Sequence, residues 1–328
     1  MTEQRSRLNL PTPLEKLSID GLHSELWLKQ DGLTHALYGG NKARKAVPLL
    51  EHAASIGARR VLTFGAAGSH HVLAMTLFAP HFGLRVAAVL LPQPATEHAK
   101  AVLTRSLDAG LDPYPSPSLL GVSWTSARAY RRGDYVIPPG GSNARGAEAH
   151  ARAIAELEAQ VDAGLMPAPD WIVVPLGSGG TAAGLLAGLA RSRLHARLLA
   201  VSVVANPVAA AQVRFLANRT LRLRTGPIVD NAWRRRLLVD DYQIGRGYGW
   251  STPAGVRASE VAAGVGLSLD PTYTAKAFAS ALALAQGAHA SISTPLRILY
   301  WHTLSIASRG PAPNRALPAA LERLFVTR

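Results

Sequence analysis

Arg60-Val61-Leu62-Thr63-Phe64 is a short apolar run, and the small residues Gly65-Ala66-Ala67-Gly68 follow it directly. Such a run reads as a buried strand that turns, without bulky side chains in the way, into a helix. The helix is expected from about Ser69 to His81, with Gly83 ending it, and Leu84 to Leu91 supplies the next strand. Strand, helix and strand in this order make a βαβ unit with parallel strands. The pattern recurs further along. Trp171-Ile172-Val173-Val174-Pro175 passes through Leu176-Gly177-Ser178-Gly179-Gly180 into a helix from about Thr181 to Arg193, and Leu198 to Ala205 is the following strand. Other helices are expected over Lys42 to Ile56, Ala144 to Ala163, Pro253 to Ala263 and Pro271 to Gln286. The chain is therefore read as α/β, with parallel-rich sheets flanked by helices. Met166-Pro167-Ala168-Pro169 is a candidate domain boundary.

Composition narrows the function classes. With 328 residues, 48% of them hydrophobic and only 17% charged, the chain can bury a large core. No apolar run approaches the ~20 residues of a membrane-spanning helix. Met1 to Arg7 has no apolar signal core, so a cytoplasmic protein is expected. The absence of cysteine removes disulfides, thiolate nucleophiles and cysteine-ligated metals. A formal net charge of +14 raises the question of nucleic acid. Yet Arg219, Arg222, Arg224 and Arg234-Arg235-Arg236 are short runs without interleaved aromatics. They read as a solvated basic surface, with neither nucleic acid nor membrane as partner.

Three segments carry candidate chemistry. Gly39-Gly40-Asn41-Lys42-Ala43-Arg44-Lys45 is a glycine turn running into a helix. Its lysine is either a solvated cation or an amine held over a carbonyl cofactor, where a depressed pKa favours imine formation. Gly177, Ser178, Gly179, Gly180 and Thr181 lie between a strand and a helix, where backbone N–H groups bind an anion. The same loop fits the dinucleotide pattern G-x-G-x-x-A through Ala182, which expects a ribose-binding Asp or Glu ~20 residues later. Ala183 through Val229 contains no acidic residue, so a single phosphate is the better reading and an NADP variant stays open. Ser69-His70-His71 opens a helix as either a capping serine with ordinary histidines or a receptor for a substrate carboxylate. Adjacent histidines point in different directions and make a poor metal pair, so no metal is expected.

In combination these segments resemble the 1-aminocyclopropane-1-carboxylate deaminase and D-cysteine desulfhydrase family. Leu10-Pro11-Thr12-Pro13-Leu14-Glu15 and Leu26-Trp27-Leu28-Lys29-Gln30-Asp31 are similar to the family's opening, and Gly39 to Lys45 to its cofactor-lysine motif. Tyr135-Val136-Ile137-Pro138-Pro139-Gly140-Gly141-Ser142, Gly247-Tyr248-Gly249 and Leu269-Asp270-Pro271-Thr272-Tyr273-Thr274-Ala275-Lys276-Ala277 also have counterparts. The resemblance implies a two-domain pyridoxal-phosphate fold of type II, like the tryptophan synthase β chain. Residues 1–48 plus 163–328 would form the larger cofactor domain, and 49–162 a smaller inserted one. It implies a homodimeric lyase or deaminase that takes the α-proton of a small amino acid, expels a β-leaving group and yields a 2-oxo acid and ammonia.

The resemblance also assigns roles. Lys42 would be the Schiff-base lysine and a proton carrier; Lys45 and Gly177, Ser178, Gly179, Gly180 and Thr181 would hold the phosphate of pyridoxal 5′-phosphate. Thr303 would face the pyridine nitrogen. Ser69, His71, Tyr248 and Tyr273 would meet the substrate, with Ser69 and Tyr273 catalytic beside Lys42. Two departures stand out. The family's Gln-Ser-Asn-His is Gly68-Ser69-His70-His71 here, so His70 takes the place of the asparagine that meets the cofactor's phenolic oxygen. It is expected to donate a hydrogen bond there and, if charged, to lower the pKa of the adjacent imine. The paired glycines after His302-Thr303 are Leu304-Ser305. A ring-opening deaminase, a β-replacing synthase, an NADP-dependent oxidoreductase and a basic non-catalytic binding protein are the competing readings.

Overall fold

Two main sheets, each built mostly of parallel strands, and a short two-stranded one form the fold of the described residues. The computed structural model describes residues 7–223, 232–287, 294–306 and 316–326. Met1–Ser6 and Arg224, singled out from the sequence, lie outside them. In chain order the elements begin β1 (Leu14–Leu17), β2 (Glu25–Gln30), α1 (Gly40–Ser55), β3 (Arg60–Ala66), α2 (His70–Phe78) and β4 (Arg85–Leu91). Next come β5 (Gln93–Pro94), α3 (Glu97–Asp108), β6 (Asp112–Pro115), α4 (Val122–Ala129), β7 (Tyr135–Val136) and α5 (Ala144–Asp162). The second glycine unit supplies β8 (Trp171–Leu176), α6 (Gly180–Leu189) and β9 (Arg197–Ser202). After it follow α7 (Ala209–Leu221), β10 (Leu237–Asp240), α8 (Pro253–Gly264), α9 (Thr274–Ala285), β11 (Arg297–His302), α10 (Ala319–Glu322) and β12 (Phe325–Val326).

The larger sheet runs β1-β2-β11-β8-β9-β10, parallel except for the antiparallel edge strand β1. The smaller runs β6-β4-β3-β7 and is parallel throughout. Parallel strands are covered on both faces, which explains why β8 is a continuous apolar run rather than an alternating one. One face of the larger sheet packs Trp301, Ile172 and Leu198 against α5, α6 and α7. The other packs Val173, Val201 and Tyr300 against α8 and α9. The smaller sheet meets α1, α2 and α3 through Val61, Val86 and Leu90.

α5, counted with the inserted segment on sequence grounds, shares a core with α6: Ala147, Ile154 and Leu157 pack beside Leu185, Leu186 and Leu189. The close approach needs glycine. A β-carbon at Gly184 would lie 2.1 Å from the carbonyl oxygen of Ala147. Gly184→Ala is therefore expected to push α5 and α6 apart and cost about 1–3 kcal/mol, readable as a lower urea midpoint.

A buried ionic cluster fixes α1 against this frame. The Arg44 guanidinium donates to Asp31 Oδ1 at 2.8 Å and to Glu156 Oε2 at 2.9 Å. Lys29 Nζ donates to Glu156 Oε1 at 2.6 Å, and Trp301 Nε1 to Asp31 Oδ2 at 2.8 Å. Two cations face two carboxylates, so the charges balance and the desolvation of each is offset by close partners. The basic run near the second half also has a structural use. Arg236 Nη1 donates to the carbonyls of Leu189 and Leu194, at 2.9 and 2.8 Å, beyond the end of α6.

Candidate active site

Open α/β sheets bind ligands at the carboxyl ends of their strands. Here β3, β8 and β11 end at one cavity of about 190 Å³, lined by Phe64, Gly65 and Ala66, by Pro175 and Gly177, and by Thr303. α1, α2, α6 and α9 all begin at or beside its wall, so several helix N-termini and their unpaired N–H groups converge on one volume.

All the site residues named from the sequence line this cavity: Lys42, Lys45, Ser69, His70, His71, Gly177, Ser178, Gly179, Gly180, Thr181, Tyr248, Tyr273 and Thr303. Lys42 stands in the first turn of α1, which starts because Gly40 adopts φ +80° and passes close under the carbonyl of Thr303. Its neighbour Asn41 donates through Nδ2 to Thr181 Oγ1 at 3.0 Å, tying the lysine's helix to the glycine loop. In that loop Gly179 adopts φ +83°, which turns the chain into α6. Ser142 Oγ accepts from the Gly180 N–H at 3.1 Å and donates to Ser178 Oγ at 2.8 Å.

The electrostatics favour an anion. Lys42 keeps part of its surface open to the cavity, yet the protein packed around it lowers its pKa to about 8, opposed only by Asp270. Its Nζ lies 5.7 Å from the centre of the Tyr273 ring. Lys45, 1% exposed, is pushed well below its ordinary value by burial and then by Lys42. Among the described residues neither lysine has an ion-pair partner, in contrast to Lys29 and Arg44. A buried amine without a counter-ion loses its proton or gains an anion. For Lys42 the sign is testable without any ligand. The unfolded chain holds its lysine proton up to about 10.5, the folded one only to about 8, so folding is favoured increasingly as pH rises across that window. Calorimetry of the ligand-free protein should show that rise, and Lys42→Met should lessen it.

His71 carries a second mark of incompleteness. Thr63 Oγ1 donates to the carbonyl of Ile137, so it accepts from His71 Nε2–H at 2.9 Å. That leaves His71 Nδ1 as a bare acceptor, buried at the cavity wall without a partner among the described residues. Ser69 caps α2 by accepting from the Val72 N–H at 3.4 Å. Tyr273 O–H donates to Tyr248 Oη at 3.1 Å, and burial raises the pKa of both rings, so each keeps its proton.

His70 departs from expectation. Nε2 meets His98 Nε2 at 2.8 Å and Nδ1 meets the Tyr38 hydroxyl, so neither nitrogen is left for a cofactor oxygen. Burial, then His98, lowers its pKa to about 4, so the ring is neutral at pH 7 rather than a cation beside an imine. Sequence reasoning gave no role to Asp270, Asn41 or Tyr38. Asp270 accepts from the N–H groups of Thr272, Tyr273 and Thr274 and from Thr274 Oγ1, which holds Tyr273 at the cavity and delays α9 to Thr274. Its place before Pro271, with a threonine four residues on, is the capping signal that could have revealed it.

A family model described as pyridoxal-phosphate dependent enzyme matches residues 6–300. The chain belongs to the pyridoxal-phosphate dependent enzyme family. It is 34% identical to the D-cysteine desulfhydrase of Klebsiella pneumoniae over 294 residues, covering 83% of this chain and 85% of that protein. The D-cysteine desulfhydrase of Salmonella paratyphi B is likewise 34% identical, over 291 residues. A crystal structure of a homologue of ACC deaminase superposes with a TM-score of 0.75 at 27% identity, covering 92% of this chain and 91% of that one. A fungal L-serine ammonia-lyase from Rhizomucor miehei shares the fold, with a TM-score of 0.64 at 17% identity over 91% of this chain and 94% of that one. This pyridoxal-phosphate enzyme therefore has the type II architecture expected from its sequence, and a dinucleotide oxidoreductase is ruled out as its identity. The residues present fit the cofactor. Lys45, buried, and Lys42, partly open to the cavity, lack a counter-ion among the described residues, and a glycine loop opens a helix at the same cavity, as a phosphorylated aldehyde requires.

Proposed function

We propose that this enzyme eliminates a β-substituent from D-cysteine or a similarly small amino acid, releasing a 2-oxo acid and ammonia. The observation that carries the reading is the meeting of Lys42 and the Gly177–Thr181 loop in one cavity, with the lysine's pKa lowered to about 8. The D-cysteine desulfhydrases to which the chain is similar support the choice of substrate. Pyridoxal phosphate, when bound, supplies an electron sink that lets the α-proton leave. The chain's own residues do the rest. Lys42 would hold the aldehyde carbon and, once the substrate's amine has displaced it, would take the α-proton as a base of suitable strength. Lys45 and the free N–H groups of the Gly177–Thr181 loop would bind the cofactor's phosphate, and Thr303 would serve its pyridine ring.

Ser69, whose hydroxyl hydrogen is free to donate, receives the substrate carboxylate at the start of α2; His71 Nδ1, a bare acceptor, suits a donor such as the substrate's amino group instead. The Tyr273–Tyr248 pair, protonated at neutral pH, places a hydroxyl where a leaving group needs one. Asp270 orients Tyr273 through the turn before α9. The cleft parts a unit built on the six-stranded sheet from one built on the four-stranded sheet, with α5 travelling with the larger. The enzyme is proposed to work as a homodimer in the cytoplasm. Incubation with D-cysteine, L-cysteine, a β-chloro-alanine and 1-aminocyclopropane-1-carboxylate, with keto acid, ammonia and sulfide measured, tests the reading. Keto acid and sulfide from D-cysteine are expected; turnover of the cyclopropane alone would replace elimination by ring opening. Tyr273→Phe is expected to lower kcat by about tenfold to a hundredfold with little change in KM, from the loss of one positioned acid.

A further inference from the structure

We propose that Tyr38, His70 and His98 form a two-state proton relay that carries the substrate's α-proton between the cavity and the outer side of α3. The inference rests on the α-proton chemistry proposed above. Tyr38 and His70 line the cavity, whereas His98 sits in the first turn of α3, partly exposed and outside the cavity lining. The three groups are joined in series, Tyr38 Oη to His70 Nδ1 and His70 Nε2 to His98 Nε2, the latter at 2.8 Å. The His70 and His98 rings lie 5.0 Å apart, tilted by 37°.

Hydrogen counting gives the chain its two states. His70 is surrounded by Lys42 from α1, by His98 and Arg105 from α3, by Asp270 from the turn before α9 and by the Tyr38 hydroxyl. Burial, the neighbouring His98 ring and the charges of Lys42 and Arg105 keep it neutral, so its ring carries one hydrogen and its two bonds run one in, one out. In the first state Tyr38 O–H donates to His70 Nδ1, His70 Nε2–H donates to His98 Nε2, and His98 bears its hydrogen on Nδ1. In the second, every donor and acceptor is reversed.

Passage is balanced. A proton arriving at Tyr38 Oη from the cavity displaces the tyrosine's hydrogen onto His70 Nδ1. His70 gives its Nε2 hydrogen to His98 Nε2, and His98 Nδ1 releases one hydrogen to water. One proton enters, one leaves, and no ring gains net charge. The return stroke delivers a proton to the cavity and restores the first state. Burial raises the pKa of Tyr38, so the tyrosine conducts through its hydroxyl without resting as a phenolate. An asparagine at position 70, as in the family pattern, has no second lone-pair nitrogen and conducts nothing.

The test uses holoenzyme in D2O with D-alanine, which has an α-proton but no β-leaving group, followed by proton NMR. His98→Gln and His70→Asn are each expected to slow α-deuterium incorporation at least tenfold while the affinity for D-alanine is kept. Imidazole in the buffer should restore much of the rate to His98→Gln. A merely structural role for His98 predicts neither the rescue nor a change confined to exchange. Deuterium incorporation at the wild-type rate in folded His98→Gln overturns the relay. A second readout needs no cofactor: nitrogen-15 shifts of His70 in the cofactor-free protein should change tautomer balance in His98→Gln. Unmoved shifts likewise overturn the proposal. A wild-type holoenzyme that exchanges no amino-acid α-proton, its histidine shifts still coupled, overturns the reaction reading and with it the relay's cargo.

Discussion

Lys42→Ala is expected to leave a folded protein that has lost its lysine-dependent yellow colour and turns over amino acids at least ~10³-fold more slowly. The size of the effect follows from the two tasks proposed for one nitrogen: holding the aldehyde carbon and later accepting the α-proton. Fold should survive, because the rest of α1 is anchored by Arg44 and by Ala43, Ala46, Leu49 and Leu50 in the core. Removing a partly desolvated amine also relieves a cost in the cofactor-free state. Borohydride should fix the cofactor to wild type and not to the variant, by mass spectrometry. A variant that still acquires the label would move the covalent site elsewhere, with Lys45 the first candidate.

Lys45→Met should push stability in opposite directions depending on loading. Lys45 is buried with no ion-pair partner among the described residues, and its pKa is driven down by burial and by Lys42. In the cofactor-free protein methionine fills the volume without the desolvation penalty, so Tm is expected to rise by several degrees. The pH slope should change with it. The native lysine makes folding more favourable as pH climbs from its depressed value toward 10.5, and the variant loses that contribution. With cofactor the sign reverses, because a charge-assisted bond to phosphate is gone. Affinity should fall roughly a hundredfold, or about 3 kcal/mol. A variant with unaltered affinity and a lower cofactor-free Tm would show that Lys45 supports packing rather than the anion.

The two βαβ units, the glycine loop and Lys42 were legible because each is local: a short apolar run, a small-residue turn and a helix start lie within a few residues. β3 and β8 extend a little beyond the expected strands, to Ala66 and Leu176, and α2 stops at Phe78, where a tighter turn over Ala79–Phe82 leads to Gly83. α9 begins at Thr274 rather than Pro271 because the Asp270 carboxylate captures the intervening N–H groups. The engagement of His70 was not legible. Its partners, Tyr38 and His98, are 32 and 28 residues away and meet it only after the smaller sheet has folded. Lys29 and Asp31 were read as part of a family opening, yet their work is to balance Arg44 and Glu156 under the site. Charge pairs across such separations leave no periodic trace in a sequence.

Arg44 lies two residues beyond Lys42 on α1, on a different side of the helix, and its grip on Asp31 and Glu156 sets the angle at which that helix presents its first turn. A laboratory search for altered substrate preference should therefore find α1 intolerant of change even at positions that never meet a ligand. Accepted substitutions should gather instead at Tyr248 and Leu304, cavity residues outside that ionic cluster. Retuning this catalyst means rewriting those cavity residues while leaving the lysine's mounting alone.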